Sequence, residues 1–202
     1  MKLEAGFFLY KPSELSYDQN EREKRFMGRK QNTFVGQEER APKDRLLTRP
    51  GALTIVLQRP RIPQNTGAVA RMCAATGSRL ELIAPFFEID DAKLKRAGLD
   101  YWPLLDVKVY PDNEAWFEAH PDVLPWFIEV GSPKLYTEAN FSAGDYLFFG
   151  DEQDGVSPSI LEKFPERHLF IPQINVRSMN LAMCVGVVTF EALRQTGFSQ
   201  LK

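Results

Sequence analysis

From Leu53 onward, short apolar runs alternate with helical segments, and no other feature of the 202-residue sequence restricts the fold as strongly. LTIVL (53–57) and RLELIA (79–84) read as buried strands, followed by DVKVY, WFIEV, DYLFFG and HLFIP. Between them lie NTGAVARMCAATG, DDAKLKRAG, DNEAWFEAH, SPSILEKF and a final apolar helix. Near-continuous apolar strands are covered on both faces. The order therefore predicts an α/β fold, a mostly parallel sheet flanked by helices, over residues 51–202. Folds of this kind bind ligands beyond the carboxyl ends of their strands. The loops that follow the strands are where chemistry is expected.

The first 50 residues have a different character. They hold 11 Lys and Arg against 8 Asp and Glu, a net of +3, whereas the remainder holds 14 against 19, a net of −5. Polar, charged and without sustained periodicity, residues 1–50 read as an N-terminal extension, flexible or draped on the body. The chain has 2 cysteines, Cys73 and Cys184, both in apolar helical runs, which excludes a disulfide scaffold or a zinc cluster. No apolar run approaches the roughly 18 residues of a membrane span, and MKLEAGFFLYKPSEL lacks the apolar core of a signal peptide. A cytoplasmic protein without metal or membrane partner is expected.

Three loops carry candidate chemistry. In RPRIPQNTGAVARMCAATG, Asn65 is a candidate helix N-cap and Gly77 a C-terminal stop. Val69, Met72, Cys73 and Thr76 share one stripe, leaving Arg71 on another face. Taken alone, Arg71 reads first as a surface arginine, but a helix start disfavours a cation, which leans weakly towards a role with an anion. In FFGDEQDGVSPSI, Gly150 and Gly155 let the backbone turn sharply or approach a ligand. Val156 and Ser157 stand where a P-loop needs Lys and Ser or Thr, and Asp151, Glu152 and Asp154 would repel a triphosphate. EF-hand spacing is also missing. What remains is an acidic loop suited to a ligand carrying positive charge and hydroxyl groups.

The third loop opens the last helix, in IPQINVRSMNLAMCVGVVTFEALRQ. Ser178 and Asn180 can cap that helix or offer side-chain oxygens and an amide to a ligand. Leu181, Val185, Val188 and Ala192 make one face, while Met183, Cys184, Val187 and Phe190 cover others. A helix apolar on several sides is buried on several sides. Gly186 in its middle costs about 1 kcal/mol relative to Ala, which fits a close crossing with another backbone. In so small a domain that crossing points to a homodimer interface.

In order and spacing, IPQNTGAVAR, FFGDEQDGVSPSIL and the IPQINVRSMN stretch resemble the three motifs of the SpoU branch of the SPOUT RNA methyltransferases. KLKRAGLDYW is similar to the subfamily that 2′-O-methylates the wobble nucleotide, cytidine or uridine, of leucine tRNAs. The resemblance runs from about Leu53 to Phe198. It implies a SPOUT fold with a deep C-terminal trefoil knot, a homodimer, tRNA as partner and S-adenosyl-L-methionine as cofactor. By motif position, Ile128, Gly150, Ile171 and Ser178 are expected to line the cofactor pocket. FIEVGSPKLY departs there from the family's usual Thr-Thr-Lys-Gly. The implied catalytic candidates are Asn65, Arg71, Glu152, Ser178 and Asn180. A guanidinium does not deprotonate near neutrality, so Arg71 suits a phosphate clamp or alkoxide stabiliser better than a base. Glu152 suits ordering of the loop or of Arg71. Arg59, Arg61 and Arg71 form the expected RNA-binding patch. Two alternatives are methylation at another tRNA or rRNA site, or RNA binding without catalysis. A nicotinamide-dependent reductase is excluded, because no G-x-G-x-x-G follows any strand.

Overall fold

The computed structural model of the protein describes residues 51–89, 102 and 105–201. The extension 1–50, the segment DDAKLKRAG and most of KLKRAGLDYW lie outside the described residues.

Among the described residues, seven strands form one sheet: β1 Thr54–Gln58, β2 Arg79–Ile83, β3 Val107–Tyr110, β4 Trp126–Ile128, β5 Lys134–Leu135, β6 Tyr146–Phe149 and β7 His168–Phe170. Their order is β3-β2-β1-β6-β4-β7-β5, and every pairing is parallel. The register sets Thr54 opposite both Arg79 and Tyr146. The six strands expected from apolar runs are all present. The seventh, β5, is two residues long and has no apolar run to announce it.

Alternation along the central strands explains the two covered faces. Ile55 and Leu57 of β1, with Leu147 and Phe149 of β6, point to one side, where they meet α1 (Pro63–Thr76) and α4 (Leu181–Gln195). Val56 and Phe148 point to the other, where Trp116 of α2 (Asn113–Ala119) and Ile160 of α3 (Pro158–Leu161) close over them. α1 and α4 pack side by side. The openings of both helices, and the loops after β1, β6 and β7, therefore gather at one end of the sheet.

Helix boundaries differ from expectation in instructive ways. α1 starts at Pro63 with Ile62 as N-cap and no side-chain cap, so Asn65 is not the N-cap but a buried residue of the first turn. Proline's fixed φ suits the first helical position and moves the start upstream. Gly77 ends the helix in the left-handed conformation, φ 68°, as expected. α3 is only four residues long, Pro158–Leu161, and a 3-10 turn at Pro165–Arg167 follows it.

α4 is buried through Leu181, Val185, Val188, Ala192 and Leu193. Met183 and Phe190 remain 61% and 50% exposed, and among the described residues a Cβ at Gly186 would meet nothing within 4 Å. Burial on several sides is thus not achieved among the described residues, none of whose backbones crosses at Gly186.

Candidate cofactor and substrate site

At the carboxyl ends of β4, β6 and β7, the loops 150–156 and 171–180 enclose a cleft of about 240 Å³. Ile128, Gly150, Ile171 and Ser178, the four residues expected at the cofactor, all line it, together with Arg177. The hairpin from Gly150 to Gly155 closes through reciprocal Asp151–Gly155 backbone hydrogen bonds of 3.1 and 2.9 Å. A methyl group at Gly150 would collide with the backbone of Gly155, so only glycine permits the turn.

Glu129, at the end of β4, is a wall residue that sequence reasoning missed. One carboxylate oxygen accepts from Val156 N at 2.6 Å and the other from Val130 N at 3.0 Å. Gly155 sits directly against this carboxylate with φ +69°, so a Cβ there would be both strained and obstructed. Glu129 thus ties β4 to the loop after β6. The only sequence signal was the departure of FIEVGSPKLY from the family pattern.

The acidic loop turns most of its charge inward. Asp151 Oδ1 accepts from Gln153 N at 2.8 Å and Asp154 N at 3.3 Å, an Asx-type turn. Arg61 Nε donates to both oxygens of the same carboxylate, at 2.8 and 2.7 Å, and Arg61 Nη2 lies 2.9 Å from Asp154 Oδ2. Burial pushes the Asp151 carboxyl up, but the hydrogen bonds from Arg61 and the two backbone N–H groups outweigh it, holding the acid below its ordinary range. Arg61, expected on RNA phosphates, is therefore engaged by carboxylates of its own chain. Arg59 is exposed, with φ 49°, and both guanidiniums lie over the ring of Phe86, at 5.0 Å for Arg59 and 4.4 Å for Arg61.

Glu152 likewise faces the opening of α1. It accepts from Arg61 N at 2.8 Å, Ile62 N at 3.3 Å and Asn65 Nδ2 at 3.2 Å. A carboxylate there complements the helix dipole and serves the cap that Ile62 cannot supply. Asn65 Oδ1 in turn accepts from Asn180 Nδ2 at 2.9 Å, while Asn180 Oδ1 caps α4 through Ala182 N and Met183 N. Glu152, Asn65 and Asn180 form one hydrogen-bonded chain across the three loops. Ser178 stands apart from it, exposed at the cleft wall, and Arg71 is exposed on α1, outside the lining of the cleft.

The cleft combines an apolar floor of Ile128, Phe149, Ile171 and Leu181 with polar walls. Gln173 also lines it, and its buried Oε1 has no hydrogen-bond partner among the described residues. An unsatisfied buried acceptor is costly unless a donor arrives. Floor, carboxylates and orphan acceptor suit a ligand with a flat aromatic part, N–H donors, hydroxyl groups and positive charge, which S-adenosylmethionine has. The thiol of Cys73 is wholly buried and that of Cys184 partly so, and burial pushes both up, away from thiolate chemistry. Among the described residues, no group of His, Cys, Asp and Glu could hold a metal ion, and no helix is long and apolar enough to cross a membrane.

Comparison with known proteins agrees with this geometry. The SpoU rRNA Methylase family matches residues 52–190. The tRNA (cytidine(34)-2′-O)-methyltransferase of Aeromonas hydrophila is 44% identical over 150 residues, 73% of this chain and 96% of that protein. The enzyme of the same name from Escherichia coli K12 is 44% identical over 150 residues, covering 72% and 95%. A solved structure described through the 2-OH methylation of C/U34 on tRNA is 44% identical with a TM-score of 0.67, covering 71% of this chain and 95% of its own. The methyltransferase AviRb from Streptomyces viridochromogenes, solved with the cofactor AdoMet, shares the fold at 22% identity and TM-score 0.61, over 73% of this chain and 62% of its own. Matched by the family from residue 52 to residue 190 and 44% identical to relatives along nearly their whole length, this chain belongs to the SpoU rRNA Methylase family.

Proposed function

We propose that this chain transfers the methyl group of S-adenosylmethionine to the ribose 2′-hydroxyl of the wobble nucleotide, a cytidine or uridine, of leucine tRNAs. Membership of the family makes it an adenosylmethionine-dependent RNA methyltransferase. Relatives named for cytidine 34 of tRNA, at 44% identity, support the wobble position. The observation that carries the reading is the meeting of three loops: a cleft lined by Ile128, Gly150, Ile171 and Ser178 lies beside the Glu152–Asn65–Asn180 chain that fixes the openings of α1 and α4.

Adenosylmethionine, when bound, supplies a methyl group already activated by its sulfonium, so placement of the 2′-hydroxyl governs the rate. Ile128, Ile171 and the backbone at Gly150 would hold the cofactor, with Ser178 at the same wall. In this reading Glu152, Asn65 and Asn180 position rather than react, because each already uses its polar atoms within the chain. Arg71 holds a substrate phosphate and stabilises the oxygen as its proton passes to solvent water, a role that a permanently charged guanidinium suits. Arg59 contributes a phosphate contact. The extension 1–50, net positive, adds to RNA affinity.

The reading extends to assembly. The exposed apolar groups of α4, Met183 and Phe190, with open space at Gly186, support a homodimer built across this helix. The placement of β4 between β6 and β7, with both following loops folded over the same strand ends, supports a trefoil knot. The absence of a membrane-length apolar helix among the described residues is compatible with a cytoplasmic enzyme.

The test is methyl transfer from labelled adenosylmethionine to leucine tRNA transcripts, followed by mapping of the modified position. Label at the wobble ribose is expected, and a 2′-deoxy wobble nucleotide abolishes it. Label elsewhere in the tRNA, or in ribosomal RNA alone, overturns the assignment.

A further inference from the structure

Arg61 and the loop after β6 hold one another through contacts that no single segment of sequence announces. The Asp151 side chain is 2% exposed, and both its oxygens are taken by Arg61 Nε at 2.8 and 2.7 Å. Asp154, 68% exposed, takes the other end of the guanidinium at 2.9 Å. The main chain of Arg61 donates to Glu152 at 2.8 Å, so one residue holds three of the loop's acids. Phe86, half exposed, covers the guanidinium with its ring at 4.4 Å. A buried carboxylate deprived of its cation is a strongly destabilised group, and the hairpin organised around it would rearrange. That hairpin, residues 150–155, is one wall of the cleft.

We propose that Arg61 is a positioning residue for the adenosylmethionine site, latching the cofactor loop through Asp151 and Asp154 rather than contacting RNA. The proposal rests on the cleft being the methyl-donor site.

The test uses full-length protein and measures adenosylmethionine binding by calorimetry, steady-state KM for each substrate, and tRNA binding across a salt series. Variants are Arg61→Gln, Arg61→Lys, Asp154→Asn and the Arg61→Gln/Asp154→Asn pair. Arg61→Gln is expected to weaken adenosylmethionine binding about tenfold, as for loss of a charged hydrogen bond, and to raise its KM while leaving KM for tRNA unchanged. Arg61→Lys restores part of the affinity. Asp154→Asn weakens binding by itself and has no further effect once Arg61 is gone, since the two act as one unit. Should Arg61→Gln prove unfolded, Asp154→Asn with Arg61→Lys carries the same comparison.

Unchanged cofactor affinity with a tRNA salt slope reduced by about one unit makes Arg61 a phosphate contact and overturns the proposal. So do additive effects of Arg61→Gln and Asp154→Asn, and so does a lowered melting temperature without a selective rise in the cofactor KM. Wild-type protein that fails to bind adenosylmethionine sinks the functional reading instead, a separate outcome.

Discussion

Asn180 Nδ2 donates to Asn65 Oδ1 at 2.9 Å, joining the opening of α4 to the first turn of α1 across 115 positions of sequence. The same Asn180 caps its own helix, and the same Asn65 reaches Glu152 at 3.2 Å. Two residues that resemble catalytic motif positions thus act first as a strut.

Asn180→Ala removes both functions. Loss of an N-cap costs about 1 kcal/mol, and the stranded buried oxygen of Asn65 adds a comparable amount. At about 2–4 °C per kcal/mol for a protein of this size, the melting temperature falls by roughly 4–8 °C. Asn180→Asp keeps the cap but sets a carboxylate against the Asn65 oxygen, so it recovers less than about half of that loss. Calorimetric melting of the three proteins checks this. Equal melting of wild type and Asn180→Ala would mean the strut contributes nothing.

Gln173 offers a test in which stability and binding move apart. Beside the cleft, its buried Oε1 lacks a partner among the described residues. Gln173→Leu removes an unsatisfied acceptor, so the free protein melts at the same temperature or slightly higher. Adenosylmethionine affinity falls about tenfold, as expected for one lost ligand hydrogen bond that leaves a donor unpaired. Titration calorimetry and thermal melting separate the two. Unimpaired cofactor affinity removes Gln173 from the site.

Much of this was legible in the sequence because burial leaves a periodic signature. Ile55, Leu57 and Val56 alternate between two cores, so β1 announced a sheet covered on both sides. Gly150, Ile128, Ile171 and Ser178 followed from motif positions, and all line the cleft. The remainder depended on partners far away in sequence. Arg61 read as an RNA contact because its acids lie 90 and 93 positions downstream. Asn65 read as an N-cap because asparagine is a preferred cap, whereas Pro63 had already started the helix. Glu129 is a single acid at a strand end, and no spacing rule marks such a residue. β5, with two residues, falls below any detectable period.

Arg71 separates a catalytic from a supporting role. It is exposed on α1, outside the lining of the cleft, so Arg71→Ala leaves the fold and adenosylmethionine binding intact. Methyl transfer falls on the order of a hundredfold, the usual consequence of removing a transition-state contact. Arg71→Lys restores little, because an ammonium cannot reproduce the two-pronged geometry of a guanidinium. Single-turnover kinetics with saturating cofactor measures the step directly. Near-normal turnover in Arg71→Ala returns this residue to the ordinary surface.

Gly186 gives the dimer a test of sign. Among the described residues a Cβ at this position meets nothing within 4 Å, and the site lies inside the helix Leu181–Gln195. Were the protein a monomer, Gly186→Ala would stabilise it by about 1 kcal/mol through helix propensity alone. Met183 and Phe190 flank the position on a face that one chain leaves exposed, at 61% and 50%. If a second copy of α4 crosses there, the added methyl group meets its backbone and the effect reverses. The expected outcome is a lower melting temperature and weaker self-association for Gly186→Ala, read by sedimentation equilibrium at micromolar concentration. A higher melting temperature with unchanged sedimentation would place the crossing elsewhere, and wild-type protein sedimenting as a monomer would remove it altogether.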